Sequence, residues 1–82
     1  MKKIDNYVDK PFVVGHVEYC LKKEIDVVSG GDRYYLADKK DEIIAKVENI
    51  TADGFTWFTV MLGVRFSSTL LFKSISKHLV TA

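Results

Sequence analysis

Eighty-two residues with 48% hydrophobic and 12% aromatic side chains supply one small core, which excludes a disordered chain and leaves room for a single domain. A net charge of +1 predicts no polyanion partner, and a single cysteine, Cys20, excludes a framework of intramolecular disulfides. The charges are unevenly placed: all eleven acids lie at or before Asp53, while three of the twelve bases (Arg65, Lys73 and Lys77) come after it. That asymmetry falls short of the clustered footprint of a dedicated nucleic-acid binder.

Met1-Lys2-Lys3 is basic, but Asp5 and Asp9 interrupt the next stretch of chain, and no apolar core of signal-peptide length appears. The longest uncharged run, Gly54 to Val64, is eleven residues against the roughly 20 that span a bilayer. The expected location is cytoplasmic, without membrane contact.

In chain order, the first expected element is a helix from Asp9 to Lys23. Asp9 offers an N-cap, and Pro11 falls in the first turn, where its missing N–H costs nothing. Val13, Val17, Cys20 and Leu21 then recur at the spacing of one buried helical face. Gly15 inside such a helix costs about 1 kcal/mol relative to alanine. Ile25 to Val28 and Arg33 to Ala37 read as a hairpin around Ser29-Gly30-Gly31-Asp32. After the polar turn Asp38-Lys39-Lys40-Asp41, a strand from Glu42 to Ile50 alternates Ile43, Ala45 and Val47 with Ile44, Lys46 and Glu48.

Thr51-Ala52-Asp53-Gly54 makes the next turn. The strand Phe55 to Leu62 then carries the only tryptophan and is apolar on both faces, with Phe55 and Trp57 on one and Phe58 on the other. Leu62-Gly63-Val64-Arg65 suits a two-residue turn with Gly63 first, and Val64-Arg65-Phe66 begins a further short strand. Ser67 and Ser68 can cap a closing helix from Ser68 to His78, with Leu71, Phe72, Ile75 and Leu79 on its buried face. Val80-Thr81-Ala82 is a tail or a short terminal strand. The expected fold is therefore α+β: an antiparallel meander of three to five strands packed with an N-terminal and a C-terminal helix, residues 1–82 forming one domain.

Candidate chemistry is thin. His16 and Cys20, one helical turn apart, could share a metal, but a structural zinc site needs four ligands and the only other histidine is His78. As a nucleophile Cys20 lacks a nameable orienting group and falls on the apolar face. Asp38, Asp41, Glu42 and Asp53 sit at turns among lysines, and Ser29-Gly30-Gly31-Asp32 matches no phosphate-loop fingerprint. No cofactor and no metal is expected.

One resemblance lies in the first half of the chain. A helix ending Cys20-Leu21-Lys22-Lys23, then Ile25-Asp26-Val27 and a tyrosine-containing hairpin, resembles the small phage-encoded proteins that inhibit Thoeris defence by sequestering a nucleotide signal. It covers about twenty-five residues and carries over no site residue, since the glycine after the leucine-lysine turn and the tryptophan of the first hairpin are missing. What it implies is a small accessory protein of viral or mobile-element type.

The residues point furthest toward a non-enzymatic module that binds and inhibits a host protein, or pairs with itself as a homo-oligomer. Its expected contact set is Trp57, Phe58, Met61, Phe66 and Phe72, because interface energy concentrates in large apolar anchors. The first alternative is nucleic-acid binding through Arg33, Arg65, Lys73 and Lys77 beside aromatic stacking surfaces. The second is sequestration of a small anionic, nucleotide-like ligand.

Overall fold

The computed structural model describes residues 3–80. Six strands run in sequence order as an antiparallel meander: β1 (Phe12–Val14), β2 (Val17–Ile25), β3 (Asp32–Ala37), β4 (Ile43–Glu48), β5 (Gly54–Met61) and β6 (Val64–Leu71). A 3-10 turn (Lys3–Tyr7) precedes them, and a short helix, α1 (Phe72–Lys77), comes after. The sheet curls into a half-barrel. Its inner face holds the core of Phe12, Leu21, Leu36 and Phe55, closed over by Ile4 from the 3-10 turn and by Phe72 and Ile75 from α1. The Tyr7 ring stacks on Phe72 at 5.0 Å and ties the two ends of the chain together.

The α+β expectation is thus corrected to a mostly β fold, and the N-terminal helix is the main error. Residues Phe12 to Ile25 form a hairpin in which Val14 faces Val17 and Phe12 faces Tyr19. Gly15 (φ 58°) and His16 (φ 69°) are its central residues, and two positive φ values give the turn whose twist suits paired strands. Val13, Val17 and Leu21 do lie at helical spacing. The pattern that prevails has period two: Phe12 and Val14, then Tyr19 and Leu21, all turned to the core. Aromatic and β-branched side chains favour that outcome over a helix.

The C-terminal helix is shorter than expected, because Ser67 to Leu71 belong to β6. Ser68 caps nothing; the residue before α1 is Leu71, in extended conformation, with no side-chain cap bond. β5 and β6 instead pair over eight residues, from Gly54 opposite Leu71 to Met61 opposite Val64. The two strands approach so closely at Gly54 that a Cβ there would overlap the Leu70 carbonyl oxygen and come within 2.9 Å of Leu71 Cα. Their turn is centred on Leu62 (φ 52°) and Gly63 (φ 77°), one residue earlier than the sequence pattern predicts.

The two outer strands end differently. The free side of β1 is covered: Val13 N–H donates to the His78 carbonyl at 3.0 Å and Val80 N–H to the Pro11 carbonyl at 2.8 Å, with Leu79 bridged to Phe12. Thr81 and Ala82 of the expected terminal segment lie outside the described residues. β6 has a neighbour on one side only, so it is the open edge of the sheet among the described residues. No helix of those residues is long and apolar enough to cross a membrane.

Candidate functional site

The open edge has a definite hydrogen-bonding phase. A two-residue turn makes its flanking residues, Met61 and Val64, a hydrogen-bonded pair, and such pairs then alternate along an antiparallel ladder. The far end agrees: Phe72 N–H donates to the Asp53 carbonyl at 2.8 Å, in phase with Val64, Phe66, Ser68 and Leu70. Those four residues therefore turn their backbone groups toward β5. Arg65, Ser67 and Thr69 turn theirs outward, where no described backbone group meets them. Their side chains are exposed as well; along β6 only Leu70 is buried. A row of outward N–H and C=O groups is a template for another strand, which sheets usually blunt with proline, bulges or charge. β6 has no proline, and its single charge is Arg65.

The turn at the end of this edge is apolar. α1 and the 3-10 turn cover the sheet only as far as Phe55 and Leu70, so the distal hairpin leaves Val60, Met61, Val64 and Phe66 half or more exposed. Leu62 at the tip is fully exposed. The other described non-glycine residues at positive φ are Asp9, His16, Asp41 and Asn49, types that tolerate that region. A leucine there costs roughly 1–2 kcal/mol, and at this site it buries nothing within its own chain in return.

Of the expected contact residues, Met61 and Phe66 stand on this exposed hairpin, with Phe66 51% accessible. Trp57 is on the inner face beside Phe55, half-buried against the core. Phe58 is on the outer face, half-buried beneath Arg65, whose guanidinium lies 4.2 Å from the ring centre. Phe72 leaves the set. It is 1% accessible, because α1 turns it inward against Tyr7 and Phe55.

The four cations of the nucleic-acid alternative do not share one surface. Arg33 and Arg65 project from the outer face, and each is held by an acid: Arg33 by Asp26 at 2.8 Å, Arg65 by Glu48. Lys73 and Lys77 belong to α1, which lies over the inner face. The outer face does carry a mixed row across five strands, Lys22, Tyr35, Lys46, Phe58 and Ser67, each paired with the next. Lys22, however, is taken by Asp9 (3.2 Å) and Asp41 (3.4 Å).

The remaining candidates are accounted for structurally. His16 is in the exposed β1–β2 turn and Cys20 is buried in β2, so they are not stacked on a helix face. Burial pushes the Cys20 thiol pKa up, which disfavours the reactive thiolate. The Asp38 carboxylate accepts from the N–H groups of Lys40 (2.8 Å) and Glu42 (3.0 Å), closing its own turn. Asp26 does the same in the β2–β3 loop; the Val28 N–H above all, then the Ser29 hydroxyl, holds its pKa below the usual carboxylate value. No group of three or more metal-ligating side chains occurs among the described residues.

Sequence reasoning missed Leu62, Ser67 and Thr69. The Leu62-Gly63 pair carried a turn signal that placed the bend one residue late. Nothing local marks Ser67 and Thr69, because edge status depends on the order of strands in the sheet. The segment that resembles the Thoeris inhibitors lies in β2 rather than at the end of a helix, so the resemblance loses its first feature. No protein-family model, curated protein or solved structure matches the chain.

Proposed function

We propose that this protein is a non-enzymatic, cytoplasmic protein-interaction module that acts by strand addition at β6, with the apolar β5–β6 turn as an accessory anchor. The observation that carries this reading is the unpaired ladder of Arg65, Ser67 and Thr69 on an exposed eight-residue edge. Main-chain hydrogen bonds supply affinity for an extended segment, and flanking side chains supply selectivity. Met61, Phe66 and Leu62 are the side chains placed to do so, since large apolar groups dominate interface energy.

Ser67→Pro tests it. The Ser67 N–H is not used within the sheet, so proline is tolerated there as on other edge strands, while an added strand loses its central donor. The variant should keep the parent's circular dichroism and thermal melt. Used as bait beside the parent in its native cell, with nucleic acid retained, it should lose a protein that the parent retains. Retention of the same protein by both baits excludes the edge as the binding surface. Recovery of nucleic acid by both transfers the function to the outer face.

A further inference from the structure

We infer that the outer face of the sheet holds a second site, which takes a short segment of single-stranded nucleic acid: two splayed bases, with the phosphate between them on Lys46. This goes beyond the strand-addition reading and uses none of the outward backbone groups of β6. In the ladder Lys46 lies between two aromatic residues, Tyr35 on β3 and Phe58 on β5. Both rings are half-buried, whereas Lys46 is exposed and has no ion-pair partner among the described residues. The acids bordering this part of the sheet are mostly engaged: Glu48 holds Arg65, Asp26 holds Arg33, and Asp32 lies 3.5 Å from Lys23. Glu24, opposite Arg33 on β2, is two strands away from Lys46. A net charge of +1 over the whole chain therefore conceals a free cation set between two rings.

Two hollows meet at the Lys46–Phe58 pair. β4 and β5 pair only from Lys46–Phe58 to Glu48–Thr56, although the two strands run on to Ile43 and Met61. Where they part, a hollow of about 260 Å³ opens, lined by Ile43, Ile44, Val60 and Phe58 among others. Toward the other end of β4, a hollow of about 280 Å³ is lined by Arg33, Tyr35, Ile50 and Phe58 among others. Lys46 borders both. Each is smaller than the roughly 300–1,000 Å³ of a drug-sized ligand's pocket, which suits a flat fragment such as one base. Tyr35 and Phe58 stand two strand spacings apart, about 9.5 Å, against the roughly 3.4 Å between stacked bases. A duplex does not spread its bases so far, whereas a single strand can. The Arg65 guanidinium, 4.2 Å from the Phe58 ring centre, covers part of that ring and offers a stacking plane of its own. Apolar walls, two aromatic rings and an unpaired cation at their junction are the parts of a single-strand platform.

Titration with labelled RNA and DNA of mixed sequence, single-stranded or annealed to a complement, decides the matter; thermal melts by circular dichroism check that each variant is folded. The parent should bind the single strands at low salt and their duplexes more weakly. Lys46→Gln should weaken binding and make the log–log salt slope shallower by about 0.7, the effect of one phosphate contact on a single strand. Tyr35→Ala should weaken binding by roughly 5- to 150-fold with the slope unchanged, the range for loss of one stacked base. Tyr35→Phe keeps the ring and should bind like the parent. Lys73→Gln and Lys77→Gln, both on α1, should change nothing. Ser67→Pro should also leave this binding intact, so the outer-face site and the β6 edge stand or fall separately. A parent that binds no single strand at low salt, or binds duplex equally well, overturns the proposal. So does a Lys46→Gln variant whose slope is unchanged. Competition by a free dinucleotide as strong as by the full strand would overturn the strand and make the small molecule the ligand.

Discussion

Tyr34 shows how a single side chain joins the 3-10 turn to the sheet. Its ring is buried in the core, and its hydroxyl donates to Asp5 Oδ1 at 2.6 Å, while Lys23 reaches the same carboxylate at 3.2 Å. Burial first, then the hydrogen bond to Asp5, raises its pKa far above the ordinary value of 10.0. A group whose pKa is raised on folding adds stability that is complete below the unfolded value and is lost as pH rises through the folded one. Tyr34→Phe should therefore cost about 1.5–3 kcal/mol near neutral pH, the range for a hydrogen bond to a charged group. It should also remove part of the stability loss above about pH 10. Denaturant melts across that range check both; a variant as steep in alkali as the parent would show that Tyr34 does not titrate with unfolding. At this scale the sequence was informative about bulk and uninformative about placement. Phe58, Met61 and Phe66 stand out by size and are accessible at least in part. Phe72 stands out equally and is buried, because accessibility depends on which end of the sheet α1 covers.

β5 and β6 depend on the glycine between them. Gly54 is buried where the two backbones come closest, and any Cβ meets main-chain atoms that cannot rotate away. Gly54→Ala should destabilise by roughly 1–3 kcal/mol or more, the usual effect of overpacking. A thermal melt matching the parent's would mean that the ladder opens without cost at that end. β5 was legible in the sequence, an uncharged aromatic run bounded by Asp53-Gly54 and Gly63, because its signal is local. The β1–β2 hairpin was not. Val13, Val17 and Leu21 satisfy a helical period, and the evidence against it, Phe12 lying opposite Tyr19, exists only once the chain has folded back. Ser67 and Ser68 misled in the same way, since the serines that cap helices also fit a strand that is exposed on both faces at that point.

As a whole, the molecule is a meander that protects one end of its sheet and leaves the other unpaired. Residues His78 to Val80 return to cover β1, whereas beyond β6 no described segment lies alongside. Each strand closes on its neighbour through a short connection, so the fold is built largely from local pairings and needs no long crossover. The central claim is that β6 keeps an open ladder within its own chain, available to a second strand. Residue-resolved amide hydrogen exchange measures this directly. In dilute protein the N–H groups of Phe66, Ser68 and Leu70 should be protected and those of Arg65, Ser67 and Thr69 should exchange rapidly. Equal protection of both groups at every dilution would contradict the account, because it would mean that β6 is already paired on both sides within a single chain.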